Sequence, residues 1–282
     1  MIIVEISGGL GNQFFQYAAG RALALKLRCE LVLDTSFYES QSLRTFELVD
    51  FNINAREATK REIRIAGGGR GLMTRLIHKI GLAKIVFPKY LRELESFSYE
   101  QKIHNSSSGT YLKGYWQNSD YFNSIKNELY MELNTDSPFS SKGKHFAADI
   151  TNSESVSIHV RRGDYVNDET VAKTHGLCTM EYYKRSILYI KKHIESPVFY
   201  IFSDDIPWCK ENFKFLSGVT YIENTKDAIE DLQLMKLAKH NIVANSSFSW
   251  WGGWLNANPN KIVIAPEDSL KKIPRPDSWI EL

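Results

Sequence analysis

The sequence has few cysteines and no cysteine motif. Cys29, Cys178 and Cys209 lie far apart, and none takes part in a CxxC or CxxH pattern. This argues against a disulfide framework and against a cysteine-bound zinc site, and it is typical of a protein kept in a reducing compartment. The seven histidines are also scattered along the chain. We therefore expect no essential metal ion.

The sequence also lacks a long apolar run and a strong net charge. Met1 leads directly into the apolar segment IIVEI, and no stretch long enough for a membrane span is present. We therefore expect neither a signal peptide nor a membrane anchor, and we expect a bacterial cytoplasmic protein. With 35 basic and 33 acidic residues the net charge is +2, which gives no reason to expect a nucleic-acid partner.

Positive charge is concentrated in residues 56–95. This segment carries ten Lys or Arg residues against four Glu residues, and it contains a glycine cluster from Gly67 to Gly71. One interpretation is a solvated pair of helices joined by a loop. The other is a basic amphipathic surface that contacts an anionic membrane, at the inner face of the plasma membrane, or a lipid-linked substrate.

The pattern of apolar segments predicts an α/β fold with two domains. Residues 2–6 form a predicted strand, a glycine turn and a helix follow, and LVLDTSF (31–37) is a second strand, which completes a βαβ unit. A further strand is predicted at TYLKGYWQN (110–118), and the Ser- and Asn-rich residues 134–155 form the predicted linker. We place the domain boundary near residue 148, between domains 1–148 and 149–282.

After this linker, strands and helices alternate up to a final predicted strand at KIVIAP (261–266). Such alternation predicts a parallel sheet with helices on both faces. Ligands bind outside the carboxyl ends of the strands in such sheets. Three polar clusters follow predicted strands there: HVRRGDY (159–165), FSDD (202–205) and ANSSFSWW (244–251). We expect them to meet at one sheet edge, facing a cleft between the domains.

The first cluster contains the adjacent arginines Arg161 and Arg162. Neighbouring side chains on extended backbone point to opposite faces, so one guanidinium can enter the cleft while the other ties the loop to an acid such as Asp164. An arginine in the cleft suits a diphosphate, because it stabilises the charge that grows on a departing phosphate. The alternative is a surface salt-bridge cluster.

The other clusters have both a structural and a binding interpretation. Ser203, Asp204 and Asp205 fit helix N-caps. Asn245 to Ser247 fit the same role, but their hydroxyls and the amides of a helix start also suit a phosphate. The tryptophans that follow either stack on sugar or, as their spacing favours, pack in the core. Asp231 is either a surface acid, which the spacing favours, or a carboxylate that reaches the base of a nucleotide.

The turn at residues 8–13 has a rival interpretation as a dinucleotide-binding motif. Gly9, Gly11 and a helix start fit that motif, and Asp34 at the end of the second strand lies near the position of its ribose-binding acid. The third glycine position is occupied by Phe14, however, and Asn12 with its neighbour supplies polar amides instead. We therefore favour an amide that donates to a phosphate or to a sugar hydroxyl across the cleft.

Four segments together resemble a known enzyme family. GGLGNQFFQYAAGRALA (8–24), HVRRGDY, FSDD and NSSFSWWGGWL (245–255) are similar to the inverting α1,2-fucosyltransferases of bacteria and, more distantly, to α1,6- and protein O-fucosyltransferases. The resemblance spans residues 2–265. It implies a GT-B fold with two Rossmann-like domains, an amino-terminal domain facing the acceptor, a carboxy-terminal domain that binds GDP-fucose, and no required metal.

The resemblance also implies roles for particular residues. Arg161 would bind the β-phosphate with Arg162 in support, and His159 and Asp231 would lie near guanine or ribose. Asn12 would reach toward the donor. The remaining donor-binding candidates lie in the turns and loops at the cleft: Gly9, Gly11, Ser203, Asp204, Asn245, Ser246, Ser247 and Ser249. For the general base, Glu169 and Asp164 are alternatives, and a third is that none is needed.

The implied reaction transfers L-fucose from GDP-β-L-fucose to the 2-hydroxyl of a terminal β-galactoside, with inversion. The implied setting is bacterial surface-polysaccharide synthesis, such as that of O-antigen, with an acceptor that can be lipid-linked. Two alternatives remain. One is a related enzyme with another linkage or another GDP-sugar donor, and the other is a sugar-binding protein without catalytic activity.

Overall fold

The computed structural model describes residues 1–69, 71–162, 178–267 and 273–282. The chain divides into two compact units, Met1–Ser137 and Pro138–Leu282. Each unit contains one sheet, and every strand pair described in either sheet is parallel. The predicted α/β class is therefore confirmed in both halves.

The first unit is built on a five-stranded sheet. Its strands are β1 (Ile2–Glu5), β2 (Leu31–Asp34), β3 (Arg56–Glu57), β4 (Tyr90–Arg92) and β5 (Tyr111–Lys113). They lie in the order β3-β2-β1-β5-β4. The helices of this unit are α1 (Leu10–Lys26), α2 (Lys60–Ile65), α3 (Leu72–Lys79), α4 (Ala83–Val86) and α5 (Lys126–Glu132). The basic segment 56–95 thus contains the two edge strands β3 and β4 as well as helices.

Helix α1 lies close against the sheet because Gly20 has no side chain. A Cβ at this position would stand 2.3 Å from Cγ2 of Val4 and 3.0 Å from Cδ1 of Leu31. Phe14 and Tyr17 on the same helix are fully buried. The close helix–strand approach that a dinucleotide-binding motif makes at the position of Phe14 is made here at Gly20, less than two turns further along the helix.

The second unit is built on a six-stranded sheet. Its strands are β6 (Ser155–Val160), β7 (Val198–Ser203), β8 (Thr220–Tyr221), β9 (His240–Ile242), β10 (Val263–Ala265) and β11 (Ile280–Glu281). They lie in the order β11-β10-β9-β6-β7-β8. The helices are α6 (Ser141–Thr151), α7 (Met180–His193), α8 (Ile206–Asn212), α9 (Ala228–Leu237) and α10 (Ser247–Trp254). The strand β11 extends the sheet beyond KIVIAP, which was predicted to be the last strand.

Helices cover both faces of this second sheet. Ile158 and Ile201 pack with Ile187 of α7 on one face, and Tyr200 packs with Leu234 of α9 on the other. Alternate residues of a strand point to opposite faces, so a strand buried on both sides is apolar throughout. The segment PVFYIF follows this rule, whereas SVSIHV alternates apolar residues with Ser155, Ser157 and His159, which are buried as well.

The unit boundary lies at Ser137–Pro138, earlier than the predicted position near residue 148. Part of the predicted linker is the helix α6, whose Ile150 is fully buried against the second unit's core. The buried carboxylate of Glu230 on α9 accepts hydrogen bonds from both the backbone N and the hydroxyl of Ser140. A polar composition suggested a linker, but these partners fix the segment to the second unit.

Candidate active site

The register of the second sheet brings the predicted polar clusters to one edge. Val160, the last residue of β6, pairs with Ser203, the last residue of β7. On the other side of β6, Ile158 pairs with Ile242 at the end of β9. Because all three strands are parallel, the loops that follow them leave the same edge of the sheet.

Arg161 is paired with Asp204 across this edge. Its Nη1 lies 2.7 Å from Oδ2 of Asp204, and the two side chains are 27% and 26% exposed. A guanidinium carries five N–H donors in a planar fork. One carboxylate cannot accept from all five, so donors remain that can bind a ligand. The pair therefore places an oriented cation, still reachable from solvent, at the carboxyl end of β6.

Arg162 is held by an ion pair and by an aromatic ring. Its Nε donates to Oδ2 of Asp205 at 3.1 Å, and its guanidinium carbon lies 3.9 Å from the ring centre of Trp208. The backbone N of Arg162 donates to Oδ1 of Asp204 at 2.9 Å. Asp205 also caps α8, since its Oδ1 accepts from the backbone N of Trp208 at 3.1 Å. Arg162 and the two aspartates thus join the loops after β6 and β7.

His159 lies directly beneath this pair and is buried. Its Nδ1 has no hydrogen-bond partner among the described residues. Burial lowers the pKa of His159 to about 4, with Asp204 opposing and Arg161 reinforcing the shift. The imidazole is therefore neutral at pH 7, with one ring nitrogen as donor and the other as acceptor. Such a group can recognise a nucleoside without adding charge.

Asp231 on α9 carries a second unsatisfied polar atom. Its Oδ1 is buried without a hydrogen-bond partner among the described residues. Burial raises the pKa of Asp231 to about 6; a bond from the side chain of Thr225 opposes this shift, and Glu230 and Asp227 add to it. The spacing favoured a surface acid, and the structure contradicts that interpretation. Asp231 as a whole is half-buried, on a helix whose inward face the sequence pattern did not resolve.

The loop after β9 contains hydroxyls that are already used locally. Ser246 is the N-cap of α10, and its side chain accepts from the backbone N of Phe248 at 3.3 Å. Ser249 is 1% exposed, and its Oγ accepts from the backbone N of Ala244 at 3.1 Å. Ser203 similarly accepts from the backbone N of Asp205 at 3.0 Å. These side chains set the shape of the loops, and Ser249 lies inside its loop.

A small pocket opens beside this loop. Asn245 and Ser246 line it together with Trp250, Trp279 and Arg275. The guanidinium of Arg275 donates to Oε1 of Glu281 at 2.7 Å and to the carbonyl of Pro266. Arg275 could not be predicted as a pocket residue, because the sequence around it contains no recognisable motif. Only the fold brings it beside residues 243–246.

The tryptophans of the NSSFSWW segment belong to the core. Trp250, Trp251 and Trp254 are each at most 3% exposed. Trp251 and Trp254 pack edge to face with ring centres 5.1 Å apart. Nε1 of Trp250 donates to the carbonyl of Pro274 at 3.2 Å. The interpretation as core packing, favoured by their spacing, is confirmed over sugar stacking.

The amino-terminal turn is a tightly bonded structure within the first unit. Gly8 has a φ of +78°, and its carbonyl accepts from the hydroxyl of Tyr38 at 2.9 Å. Gln13 is buried and donates to the carbonyls of Gly8 and Thr45. Oδ1 of the half-buried Asn12 accepts from Nε2 of Gln117 at 2.8 Å, which orients its amide. Gly9 is the N-cap of α1, and Gly11 lies in its first turn.

Asp34 does not fit the ribose-binding role of the rival motif. Its carboxylate is fully buried, and Oδ2 accepts from the hydroxyl of Tyr111 at 2.6 Å. Oδ1 accepts from the backbone N of Ser36 at 3.0 Å. A ribose-binding acid has to reach a ligand at the sheet edge. The first turn therefore lacks the ribose-binding acid that a dinucleotide-binding motif requires, and this argues against the dinucleotide interpretation.

Some predictions fall on residues that are not described. Asp164 and Glu169, the two candidates for the general base, lie outside the described residues. Among residues 1–69, 71–162, 178–267 and 273–282, no group of three or more His, Cys, Asp or Glu side chains is arranged to hold a metal ion. Within the same ranges, no helix has the length and apolar character needed to cross a bilayer.

Comparison with known proteins identifies the family. The sequence pattern of "Glycosyl transferase family 11" matches residues 82–273. The chain belongs to glycosyl transferase family 11. It is 38% identical over 298 residues to the α1,2-colitosyltransferase of Escherichia coli, a match that covers 100% of this chain and 99% of that protein.

Two further relatives support membership of family 11. The chain is 33% identical to the O-antigen biosynthesis glycosyltransferase WbnK of Escherichia coli, over 98% of this chain and 99% of that protein. It is 28% identical to the human galactoside α-(1,2)-fucosyltransferase 1, over 44% of this chain and 35% of that protein. This family 11 protein is therefore a glycosyltransferase, and the predicted family resemblance is confirmed.

A solved structure supports the fold class of this family 11 glycosyltransferase. The fucosyltransferase NodZ from Bradyrhizobium superposes with a TM-score of 0.53 at 11% identity, over 89% of this chain and 91% of that one. At this identity the likeness concerns the fold alone. It confirms the GT-B-like class with two α/β units, each on a parallel sheet.

Proposed function

We propose that this family 11 glycosyltransferase transfers a 6-deoxy-L-hexose from its GDP-sugar to the 2-hydroxyl of a terminal β-galactoside, with inversion, in the cytoplasmic assembly of a bacterial surface polysaccharide such as O-antigen. The observation that carries the proposal is Arg161, oriented by Asp204 at the carboxyl end of β6. The α1,2 linkage and the galactoside are taken from the names of two relatives. Free cysteines agree with a cytoplasmic protein.

The first step of the proposed mechanism is binding of the diphosphate. Arg161 is held by Asp204 before the ligand arrives, so little side-chain freedom is lost on binding. The planar guanidinium contacts two phosphate oxygens at once. As the bond between the sugar and GDP breaks, negative charge grows on the β-phosphate, and the fixed cation stabilises that state more than the ground state.

The second step is recognition of the nucleoside. Neutral His159 is buried and Asp231 is half-buried, and each has one buried polar atom that has no partner among the described residues. Leaving a buried polar atom unpaired costs free energy that a ligand can recover by pairing with it. Guanine presents adjacent N–H donors to a carboxylate, and this complementarity supports GDP as the nucleotide. Ser246, Ser247 and Asn245 complete the proposed diphosphate pocket.

We propose that departure of GDP needs no metal ion, since Arg161 and Arg162 supply the positive charge that a divalent cation supplies elsewhere. Asn12 stays a candidate for contact with the donor. Its orientation by Gln117 supports a positioned amide. Asp164 and Glu169 stay candidates for the general base. The sugar acceptor's 2-hydroxyl attacks the face opposite to GDP, which converts a β-linked donor into an α-linked product.

The donor sugar has two candidates. L-fucose is supported by the human relative and by the family resemblance, whereas colitose is supported by the relative at 38% identity over the whole chain. Colitose is L-fucose without its 3-hydroxyl. An enzyme whose site hydrogen-bonds that hydroxyl rejects the analogue that lacks it, while an apolar site discriminates weakly. Whether the enzyme distinguishes fucose from colitose therefore depends on whether a polar group of the site faces the 3-position of the sugar.

A comparison of donors tests the proposal. The purified protein is incubated with a β-galactoside, EDTA and GDP-fucose, GDP-colitose or GDP-mannose in turn, and acceptor-dependent GDP release is measured. We expect release with GDP-fucose or GDP-colitose, or with both, and none with GDP-mannose. Release that requires added Mn²⁺ or Mg²⁺ would contradict the metal-independent mechanism. GDP binding without turnover for any donor would favour the alternative of a sugar-binding protein without activity.

A further inference from the structure

Helices α3 and α4 form a hairpin, residues 72–86, whose outer surface is apolar. Of the sixteen large apolar side chains that are most exposed in the described part of the chain, seven lie in this hairpin. Leu72 is 86% exposed, Met73 71% and Ile85 76%. A soluble monomer rarely exposes a contiguous apolar patch unless that patch contacts something.

The orientation of the hairpin explains why these side chains face outward. Leu72, Met73, Leu76 and Ile80 are spaced so that they share one face of α3, and each is at least half exposed. Thr74 lies on the opposite face and is 5% exposed. In a surface helix the apolar face is normally the buried one. Here the small polar residue faces the protein and the large apolar residues face away.

The hairpin is fixed to the edge of the first sheet by its inner side. His78 has its Nε2 2.9 Å from the carbonyl of Gly67, and its ring centre lies 4.5 Å from that of Tyr90 on β4. A Cβ on Gly67 would stand 2.4 Å from Cγ of Phe87. These contacts hold the hairpin as a formed surface of the first unit.

The charged residues of the hairpin and of its flanking sequence all have one sign. Residues 63–92 contain seven Lys or Arg residues and no Asp or Glu. Arg75, Lys79, Lys84 and Lys89 are all exposed beside the apolar side chains. A second copy of the same surface would bring like charges together, which disfavours self-association. An apolar face with a cationic border instead matches the interface of a bilayer that contains anionic lipids.

We propose that the 72–86 hairpin docks this protein on an anionic lipid bilayer. The apolar side chains enter the boundary between headgroups and acyl chains, while the flanking lysines and arginine contact lipid phosphates. This role is independent of the sugar donor and of the linkage. It would place a soluble catalytic fold at the surface where a lipid-linked acceptor is presented.

Flotation with lipid vesicles tests this proposal on the full chain. Vesicles of phosphatidylcholine alone are compared with vesicles that contain phosphatidylglycerol in addition. We expect binding to the anionic vesicles, weak binding to the neutral ones, and release as salt screens the charges. Lys79→Gln with Lys84→Gln should weaken binding by about 25-fold, since each cation contributes about fivefold. Leu76→Gln with Ile85→Gln should weaken it at least as much.

A matched control uses the other unit. Leu188 on α7 is 67% exposed, and Lys192 one turn later is also exposed, so Leu188→Gln with Lys192→Gln removes one apolar and one cationic side chain away from the hairpin. We expect this variant to bind vesicles like the unchanged protein. All variants should keep their turnover with a water-soluble galactoside, so loss of vesicle binding is separable from failure of the proposed enzymatic function.

Three results would overturn the proposal. One is no flotation of the unchanged protein with anionic vesicles. Another is equal loss of binding in the control and hairpin variants. The third is concentration-dependent self-association, measured by analytical ultracentrifugation, that the Leu76→Gln and Ile85→Gln changes abolish, because the hairpin would then be covered by a second copy of the chain.

Discussion

The two adjacent arginines differ in their partners and in their exposure, and we therefore expect them to have different roles. Arg162 is fixed by Asp205 and by the ring of Trp208. Arg161 pairs with Asp204, and its side chain is the more exposed of the two, at 27% against 19%. Arg162 therefore fixes the loop, and Arg161 is the group we propose to contact the diphosphate.

Replacing Arg161 tests this assignment. We expect Arg161→Ala to reduce kcat by about a hundredfold or more, the scale on which a preorganised charge-stabilising donor acts. Arg161→Lys should restore only part of the loss, because an ammonium cannot make the two-pronged contact. Arg185→Ala, at an exposed position on α7, is the matched control and should leave kcat unchanged. A turnover of Arg161→Ala equal to that of the unchanged protein would refute the assignment.

Asp231 combines a stability cost with a proposed binding role. Its pKa of about 6 lies above the ordinary value of 3.8, so the fold disfavours the charged form. The cost is absent below pH 3.8 and complete above about pH 6, where it reaches about 2 to 3 kcal/mol. We expect Asp231→Asn to raise the free energy of unfolding at pH 8, measured by urea denaturation, by up to this amount, and to have little effect at pH 4.

The same residue gives a pH dependence of GDP binding. If the ionised carboxylate pairs with guanine, affinity should fall as the pH falls through 6 and should be about tenfold weaker at pH 5 than at pH 8. His159, with a pKa of about 4, stays neutral over this range. Isothermal titration calorimetry with GDP measures the effect. An unchanged pH profile in Asp231→Asn would show that another group titrates and would remove Asp231 from the nucleoside site.

At the scale of the element, the contact between α1 and β1 depends on a missing side chain. A methyl group on Gly20 would meet Val4 at 2.3 Å, too close to be relieved without moving the helix. We expect Gly20→Ala to destabilise the first unit by about 1 to 3 kcal/mol, as overpacking does. At Gly71 the added Cβ has its nearest neighbour at 3.9 Å. Gly71→Ala is the control, and equal unfolding midpoints for both variants would contradict this account.

Elements with a strong local pattern could be predicted from the sequence. The predicted strands at 155–160 and 197–202 coincide with β6 and, to within one residue, with β7, because both segments are rich in the β-branched and aromatic residues that buried parallel strands favour. The helix α6 could not be found in this way. It is held by Glu230, whose partner Ser140 lies 90 residues away, and a local pattern does not contain such a contact.

The site follows the same division. The parallel sheet and the positions of Arg161, Asp204 and Asn245 after strands could be predicted, since strand ends are local features. The pairing of Arg161 with Asp204 depends on the register of β6 against β7. The burial of Asp231 and the arrival of Arg275 depend on how distant elements pack. These three features could therefore not be predicted from the sequence.

At the scale of the whole molecule, family membership defines the reaction class, which is glycosyl transfer. It does not define the donor sugar or the linkage, which we propose. A chain with the family 11 pattern and a GT-B-like fold is a glycosyltransferase. Relatives of this chain act on different sugars by name. The choice between fucose and colitose rests on contacts to one hydroxyl, which a shared fold does not determine.

The most direct test of the central claim is NMR analysis of the product formed from a GDP-6-deoxy-L-hexose and a β-galactoside in the presence of EDTA. We expect an α-linked sugar on the galactose 2-oxygen, recognised by the anomeric coupling constant and by a through-bond correlation from the anomeric proton to galactose carbon 2. A β-linked product would contradict inversion, and attachment at any other galactose carbon would contradict the α1,2 linkage.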